Sequence, residues 1–320
     1  MSRAGLLLAV AAALAAVASG CGFGPGDAAE GQVELRVTRE FGAVPMVTAT
    51  LEDPTESDTV ARVLDANADI ETSYGGNFVD SIDGYSGSAA GGGAEDWFFF
   101  VNGYFSDVGA GEARVRPGDR IWWDYRYWSA AYRVPAVVGS WPEPFLHGYD
   151  GERPATIVEC LTDREPCARV VAALAAEGVE PRLVASRRPV PHPDELRVLV
   201  GPWRTLRSDP TARQIEDGPG ASGVYATFER CDGGFALTPA DDHGRPAERL
   251  AGAGLIAAVR DGEEQPTWVV TGTREAAVGD AAAALGSDAL RDRYAVAVSG
   301  AEASALPAAT GAGSGTESCR

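Results

Sequence analysis

The chain has 320 residues, 45% of them hydrophobic, which is enough for two domains with real cores. Its 46 acidic side chains against 27 basic ones leave a formal charge of −19, and like-charge repulsion excludes DNA, RNA and anionic surfaces as natural partners. Every basic residue is Arg and none is Lys. Beside so much Ala and Gly this reads as base-composition bias, and no function is assigned to it.

The chain opens with Arg3, an uncharged apolar run from Leu6 to Ala18, and then Ala18-Ser19-Gly20-Cys21. That run is well short of the ~20 residues that span a bilayer. Small residues ahead of a cysteine suit a lipoprotein signal peptidase, whose substrate must lie extended in a narrow site. Residues 1–20 are therefore expected to be a signal peptide, Cys21 the lipid acceptor, and 21–31 a Gly-rich tether. The expected location is the outer face of the cytoplasmic membrane. Ordinary cleavage with Cys21 incidental is the plainer alternative.

Export would let Cys160, Cys167, Cys231 and Cys319 mature in an oxidising compartment, where disulfides form. Cys160 with Cys167 could close a small loop and Cys231 with Cys319 could pin the tail, among three possible connectivities. No CxxC pair occurs and there are only three His, so no metal site is expected.

Past the tether, Val33, Leu35 and Val37 alternate with polar residues as a half-buried strand does, and Met46 to Leu51 makes a second strand. Thr59 to Leu64 reads as a short helix with Val60, Val63 and Leu64 on one face. Phe78 to Ile82 is a third strand, and Ser86 to Gly93 is a Gly/Ser loop. Asn102-Gly103 between Trp97–Val101 and Tyr104–Phe105 is a strong hairpin signal, because both positions tolerate positive φ. Ala113–Val115 and Ile121–Trp128 flank the turn Pro117-Gly118-Asp119 and predict another hairpin. Twelve aromatic residues fall between Trp97 and Tyr132. Helix-on-sheet packing of these elements predicts a β-grasp-like domain over 32–132.

Residues 133–154, with four prolines, read as a linker. From 155 to 300 a second α+β domain is expected. Strands at 156–159, 182–185, 196–200 and 224–228, with helices at 168–176 and near 211–215, give the ferredoxin-like order βαββαβ. A looser copy follows, with strands at Phe235, 255–259, 268–271 and 294–298 and a helix over 274–285. The Ala/Gly/Ser-rich tail, 301–320, is expected to be disordered.

Four blocks in order carry a family resemblance. They are Thr59-Val60-Ala61-Arg62-Val63-Leu64, Phe78-Val79-Asp80-Ser81-Ile82-Asp83-Gly84, Trp97-Phe98-Phe99-Phe100-Val101-Asn102-Gly103, and Pro117-Gly118-Asp119-Arg120-Ile121-Trp122-Trp123-Asp124-Tyr125. Together, residues 33–128 resemble the C-terminal domain of the transcobalamin and intrinsic factor family and its relatives in bacterial lipoproteins. The resemblance implies a soluble-ligand-binding β-grasp domain and a cobalamin-like corrinoid as ligand. Transcobalamins hold the corrinoid's other face with a helical barrel, and this chain has no run of repeated helices. Either a separate protein, such as a helical-barrel partner, or the domain from 155 onward would have to supply that face, or the ligand is smaller; a membrane transporter is the other expected partner.

Strand parity divides the aromatics. Ile121, Trp123, Tyr125 and Tyr127 share one face, and Trp122, Asp124, Arg126 and Trp128 the other. The first set is read as core; the second, mixing Trp with charge, as a partly wet plate for a flat ligand. The ligand-binding candidates are Trp122 and Trp128 on that plate, Tyr74 and Tyr104 from adjoining loops, and Tyr85 beside the Gly-rich loop. Asp241-Asp242-His243 sits in a Pro/Gly loop and reads as solvated. His192 and His147 read as loop and linker residues. No GxSxG, HExxH or P-loop occurs, so no enzyme is expected and no cofactor beyond the ligand itself. The competing class is an envelope adaptor that binds another protein or peptidoglycan, since Gly201-Pro202-Trp203 is similar, over a short span, to peptidoglycan-binding SPOR domains.

Overall fold

The computed structural model describes residues 26–87, 94–286 and 288–309. Over them the chain is mixed α/β, mostly strand with few and mainly short helices. Cys21, Cys319, the leader and the chain end lie outside the described residues, as do the lipidation site and the 231–319 pairing. Among the described residues no helix is long and apolar enough to cross a membrane.

The alternation in Gln32–Arg39 makes it the second strand of a five-stranded sheet. Its order is Val44–Glu52, Gln32–Arg39, Arg120–Tyr127, Glu95–Val101 and Tyr104–Phe105. Gln32–Arg39 and Arg120–Tyr127 run parallel; the other neighbours are antiparallel. Asn102 and Gly103 form the expected turn at φ 54° and 80°. Asn102 does more than turn: its buried amide donates to Asp119 Oδ1 and to the Gly148 carbonyl, both at 2.8 Å, and its Oδ1 accepts from Arg120 N. The helix Val60–Asp65, capped by Thr59 Oγ1, lays Val60, Val63 and Leu64 on Leu35, Val37, Ile121 and Trp123. Residues 113–115 form no strand beyond one bridge from Arg114 to Thr59. Their carbonyl groups serve the helix start instead, where Val60 N donates to Ala113 O at 2.9 Å.

The second half is a seven-stranded sheet ordered Arg182–Ala185, Thr156–Cys160, Leu196–Pro202, Thr267–Gly272, Gly254–Val259, Ala295–Ser299 and Glu302–Leu306. The first four strands are parallel and the rest antiparallel. This departs from the ferredoxin-like order at two points. Arg182–Ala185 returns over the helix Arg164–Ala176 to lie parallel beside Thr156–Cys160. Ala226–Cys231 leaves the sheet and pairs only with Gly234–Pro239, because a tight turn with Gly233 at φ 90° folds it back locally. The tail is also ordered further than expected. Glu302–Leu306 pairs with Ala295–Ser299 and buries Leu306, held by backbone bonds that an Ala/Ser sequence does not advertise.

The helices Arg164–Ala176 and Glu275–Ala284 cover one face of this sheet with Val170, Leu174, Val278 and Ala281. Its other face shares one continuous core with the five-stranded sheet. Phe100 and Trp122 pack in the same cluster as Trp203, Tyr225, Leu255 and Tyr294. Residues 133–154 connect the halves but are not loose chain, since Val134, Val137 and Val138 are buried and Val138 N donates to Tyr294 O. Trp203 is core as well, stacked on Phe228 at 4.2 Å, so the SPOR-like tripeptide presents no aromatic surface.

Cys160 and Cys167 are disulfide-bonded, tying the Thr156–Cys160 strand to the first turn of the following helix; Cys231 is also disulfide-bonded. Removing the Cys160–Cys167 bridge as Cys160→Ala/Cys167→Ala is expected to cost about 2–3 kcal/mol by loop-closure entropy. Urea unfolding with and without reductant measures this, and the double variant should be insensitive to the reduction of this bridge.

Candidate functional site

The five aromatic candidates are not brought together. Trp122, only 3% exposed, is part of the shared core, and its Nε1 donates to Thr38 Oγ1 at 2.8 Å. Tyr104, 2% exposed, stacks on Tyr149 at 4.6 Å and donates its hydroxyl to Gln265 Oε1. Tyr104 is out of reach of a solute, and Trp122 shows only an edge to a small polar cleft. Parity was the right guide to facing, but the second half, not a ligand, covers the Trp122 face. Trp128 is half-buried with its ring edge-on to Tyr132. Tyr74, 86% exposed and at φ 51°, stands out from the turn before Phe78. Tyr85, 40% exposed, lies 6.2 Å from the Tyr125 ring with the Arg39 guanidinium 4.3 Å above it.

The halves are joined by a polar knot inside the apolar seam. Asp124 is fully buried. Its Oδ1 accepts from Thr38 Oγ1 at 2.6 Å and Gly42 N at 3.1 Å, and its Oδ2 accepts from the Tyr294 hydroxyl at 3.0 Å. Burial pushes the Asp124 carboxyl up to about 6 against these hydrogen bonds and the Arg126 charge. Burial and the neighbouring Asp124 likewise raise the Tyr294 hydroxyl well above its ordinary value. Arg126 is buried too, its guanidinium lying 3.9 Å over the Phe98 ring and donating to the carbonyls of Ala131, Tyr132 and Tyr127.

Beside this knot Glu40, Phe41 and Gly42 hold three successive positive φ values of 59°, 58° and 85°. Left-handed backbone at two non-glycine residues is strained and persists only where the surroundings impose it. Here the Phe41 ring is wedged edge-on between Tyr225 and Tyr294, each centroid 5.0 Å away.

The wedge forms one wall of a cleft of about 920 Å³ where the five-stranded sheet meets the second half. Its apolar lining includes Phe41, Tyr125, Tyr127, Leu250 and Leu306, within the size range of small-molecule sites. None of the sequence candidates lines it; Tyr85 approaches it through Tyr125, and Trp128 adjoins Tyr127. Tyr125 and Tyr127 were assigned to the core because they share parity with Trp123. The six-residue helix is too short to cover their end of the strand, and that length was the signal available in the sequence.

A second cleft of about 390 Å³ lies on the far side of the seam, and part of its polar wall is already paired. Arg36 grips Asp292 and donates to Thr48 Oγ1, while Arg120 pairs with Glu34. Among the described residues Asp241, Asp242 and His243 form the one group of donor atoms close enough to hold a metal. Asp241 is committed, however: its Oδ1 accepts from the backbone N of His243 and Arg245, and its Oδ2 pairs with Arg245 Nε at 2.7 Å. Burial works against the Asp241 charge, yet these hydrogen bonds hold its carboxyl below the usual range. A cation would have to break that set, so the cluster is a loop staple.

Comparison with known proteins bears on the first half of the chain. Residues 57–126 match the family model described as Domain of unknown function (DUF4430). The matched stretch runs from the cap of the Val60–Asp65 helix through most of the Arg120–Tyr127 strand. A crystal structure from Ruminococcus gnavus, described as a "putative metal binding protein", is similar at 17% identity over 31% of this chain and 98% of that one, with a TM-score of 0.24. No curated protein matches the chain.

Proposed function

We propose that this protein is a lipid-anchored extracytoplasmic binding protein that holds a small amphipathic molecule in the seam cleft and passes it to an uptake system. The observation that carries the reading is the cleft itself: about 920 Å³ of open space, walled by Phe41, Tyr125 and Tyr127 at the meeting of two sheets. Domain junctions of this kind are where small-molecule sites concentrate. Apolar contact with the rings would supply affinity at about 25 cal/mol per Å² buried, reduced by the cost of immobilising the ligand.

One helix on a five-stranded mixed sheet, with the DUF4430 match running across it, supports a β-grasp domain of the transcobalamin-like kind. On that reading a corrinoid is the first ligand to test. It would enter the seam cleft from the side, since the broad sheet face open to a corrinoid ring in an isolated domain is closed by the second half. The Cys21 thioether and its acyl chains would keep the protein at the membrane, two or more chains being needed for lasting anchorage. Cys21→Ala is expected to release the protein into the medium.

Titrating the protein with cobinamide while following its tryptophan fluorescence tests the site. Tyr127→Ala is expected to weaken binding about tenfold or more with the melting temperature nearly unchanged. Binding that ignores Tyr127→Ala would place the ligand elsewhere, and no binding by the native chain would remove the corrinoid.

A further inference from the structure

The charge around the seam cleft discriminates between ligands of equal shape. Four carboxylates line it, Glu40, Glu95, Asp242 and Glu248, against two guanidiniums, Arg126 and Arg293. Arg126 is turned inward: its Nη1 and Nη2 donate to three backbone carbonyls while its Nε is buried without a partner, so most of its charge is already met by protein. Glu40 and Glu248 stand at the mouth, where a ligand would pass them. Glu40 is two-thirds exposed, with Arg39 Nη1 4.0 Å away, and Glu248 is exposed. Asp242 is partly screened by the His243 ring nitrogen at 2.9 Å. The aromatic walls add to the bias: His243 stacks on one face of Tyr127 at 4.2 Å, and the ring surface that Tyr125 and Tyr127 leave open attracts cations and repels anions. A cleft of one prevailing sign with low-dielectric walls focuses that field, and the whole chain, at −19, points the same way.

Resting on the small-molecule reading above, we propose that the seam cleft selects organic cations: flat or ring-bearing molecules with a protonated or quaternary nitrogen, or a comparable positive centre. The ring lies against Tyr125 and Tyr127 while the positive centre faces the carboxylates at the mouth. Organic anions of the same shape meet net repulsion, since four carboxylates oppose the half-buried Arg293 and the inward-turned Arg126.

Two fluorescent tricyclic probes of similar size separate charge from shape: 9-aminoacridine, a cation at neutral pH, and anthracene-9-carboxylate, an anion. The native protein is expected to bind the cation at least tenfold more tightly than the anion. Raising the salt from low to physiological should weaken the cation several-fold, because rim charges are screened over about 8–10 Å. Glu40→Gln/Glu248→Gln, both at the exposed rim, should lower cation affinity about three- to tenfold and leave the anion unchanged or improved. Equal or tighter binding of the anion, sensitive to Tyr127→Ala, would overturn the charge preference while leaving the cleft as a small-molecule site. Binding of neither probe, or binding that Tyr127→Ala does not touch, would overturn the site reading and this inference with it.

Discussion

Replacing Phe41 with Ala is expected to lower the unfolding free energy by about 3–5 kcal/mol, the range for deleting a buried aromatic side chain. The size follows from position. Phe41 is buried between Tyr225 and Tyr294 of the other half, so its removal opens a hole in the core that the two sheets share. The backbone cannot close that hole, because Glu40, Phe41 and Gly42 are already held in left-handed conformations by the seam. Gly42→Ala should be more damaging still. A Cβ there would lie 1.9 Å from the Asp292 carbonyl oxygen, at a φ of 85° that L side chains rarely adopt. Urea denaturation of the native and variant chains measures both. A loss below about 1 kcal/mol for Phe41→Ala would mean that the seam contributes little to folding.

The second large effect is on pH dependence. Asp124 is raised to about 6 in the folded chain from an ordinary value of 3.8. The folded state therefore holds a proton that the unfolded state releases between those pH values. Stability from the neutral acid is fully present below about pH 4 and is lost as the pH rises through 6, amounting to about 3 kcal/mol at 1.36 kcal/mol per unit. Other carboxyls raised by burial, such as Asp119 and Glu159, act in the same direction, so the comparison must isolate Asp124. Asp124→Asn does so. Its amide can keep the acceptor for Thr38 and Gly42 and offer a donor to Tyr294. The stability difference between native and variant should shift toward the variant by about 2.4 kcal/mol between pH 4 and pH 7. A difference that stays flat across that interval would show Asp124 charged throughout.

Much of the local structure was legible because its causes are local. The Asn102-Gly103 turn, the short helix with Val60, Val63 and Leu64 on one face, and the alternation in Arg120–Tyr127 each follow from a few neighbouring residues, although the cap falls on Thr59 and not on Ser57 or Asp58. What could not be read was which surface each face meets. Trp122, Asp124 and Arg126 were rightly set opposite Trp123. Nothing within a strand, however, distinguishes a wet plate for a ligand from half of a core completed by Trp203, Tyr225 and Tyr294, some 80–170 residues later. Charge in that row argued for water, whereas the structure satisfies Asp124 with Thr38, Gly42 and Tyr294 and satisfies Arg126 with carbonyls. Phe41 escaped notice because a single aromatic in a turn has no periodicity. The Glu302–Leu306 strand escaped because Ala and Ser give no contrast between its faces. The cleft inherits both difficulties, since its walls come from the ends of elements whose middles are core.

The two sheets fold around one shared core, with the cleft at its edge. Native-state hydrogen exchange by mass spectrometry tests it by comparing peptides from Arg120–Tyr127 with peptides from Gly254–Val259. Both strands are expected to exchange only through global unfolding, with equal protection that falls together in Phe41→Ala. Exchange of Arg120–Tyr127 at markedly lower cost, while Gly254–Val259 stays protected, would mean that the first half opens alone and that its aromatic face is a surface after all.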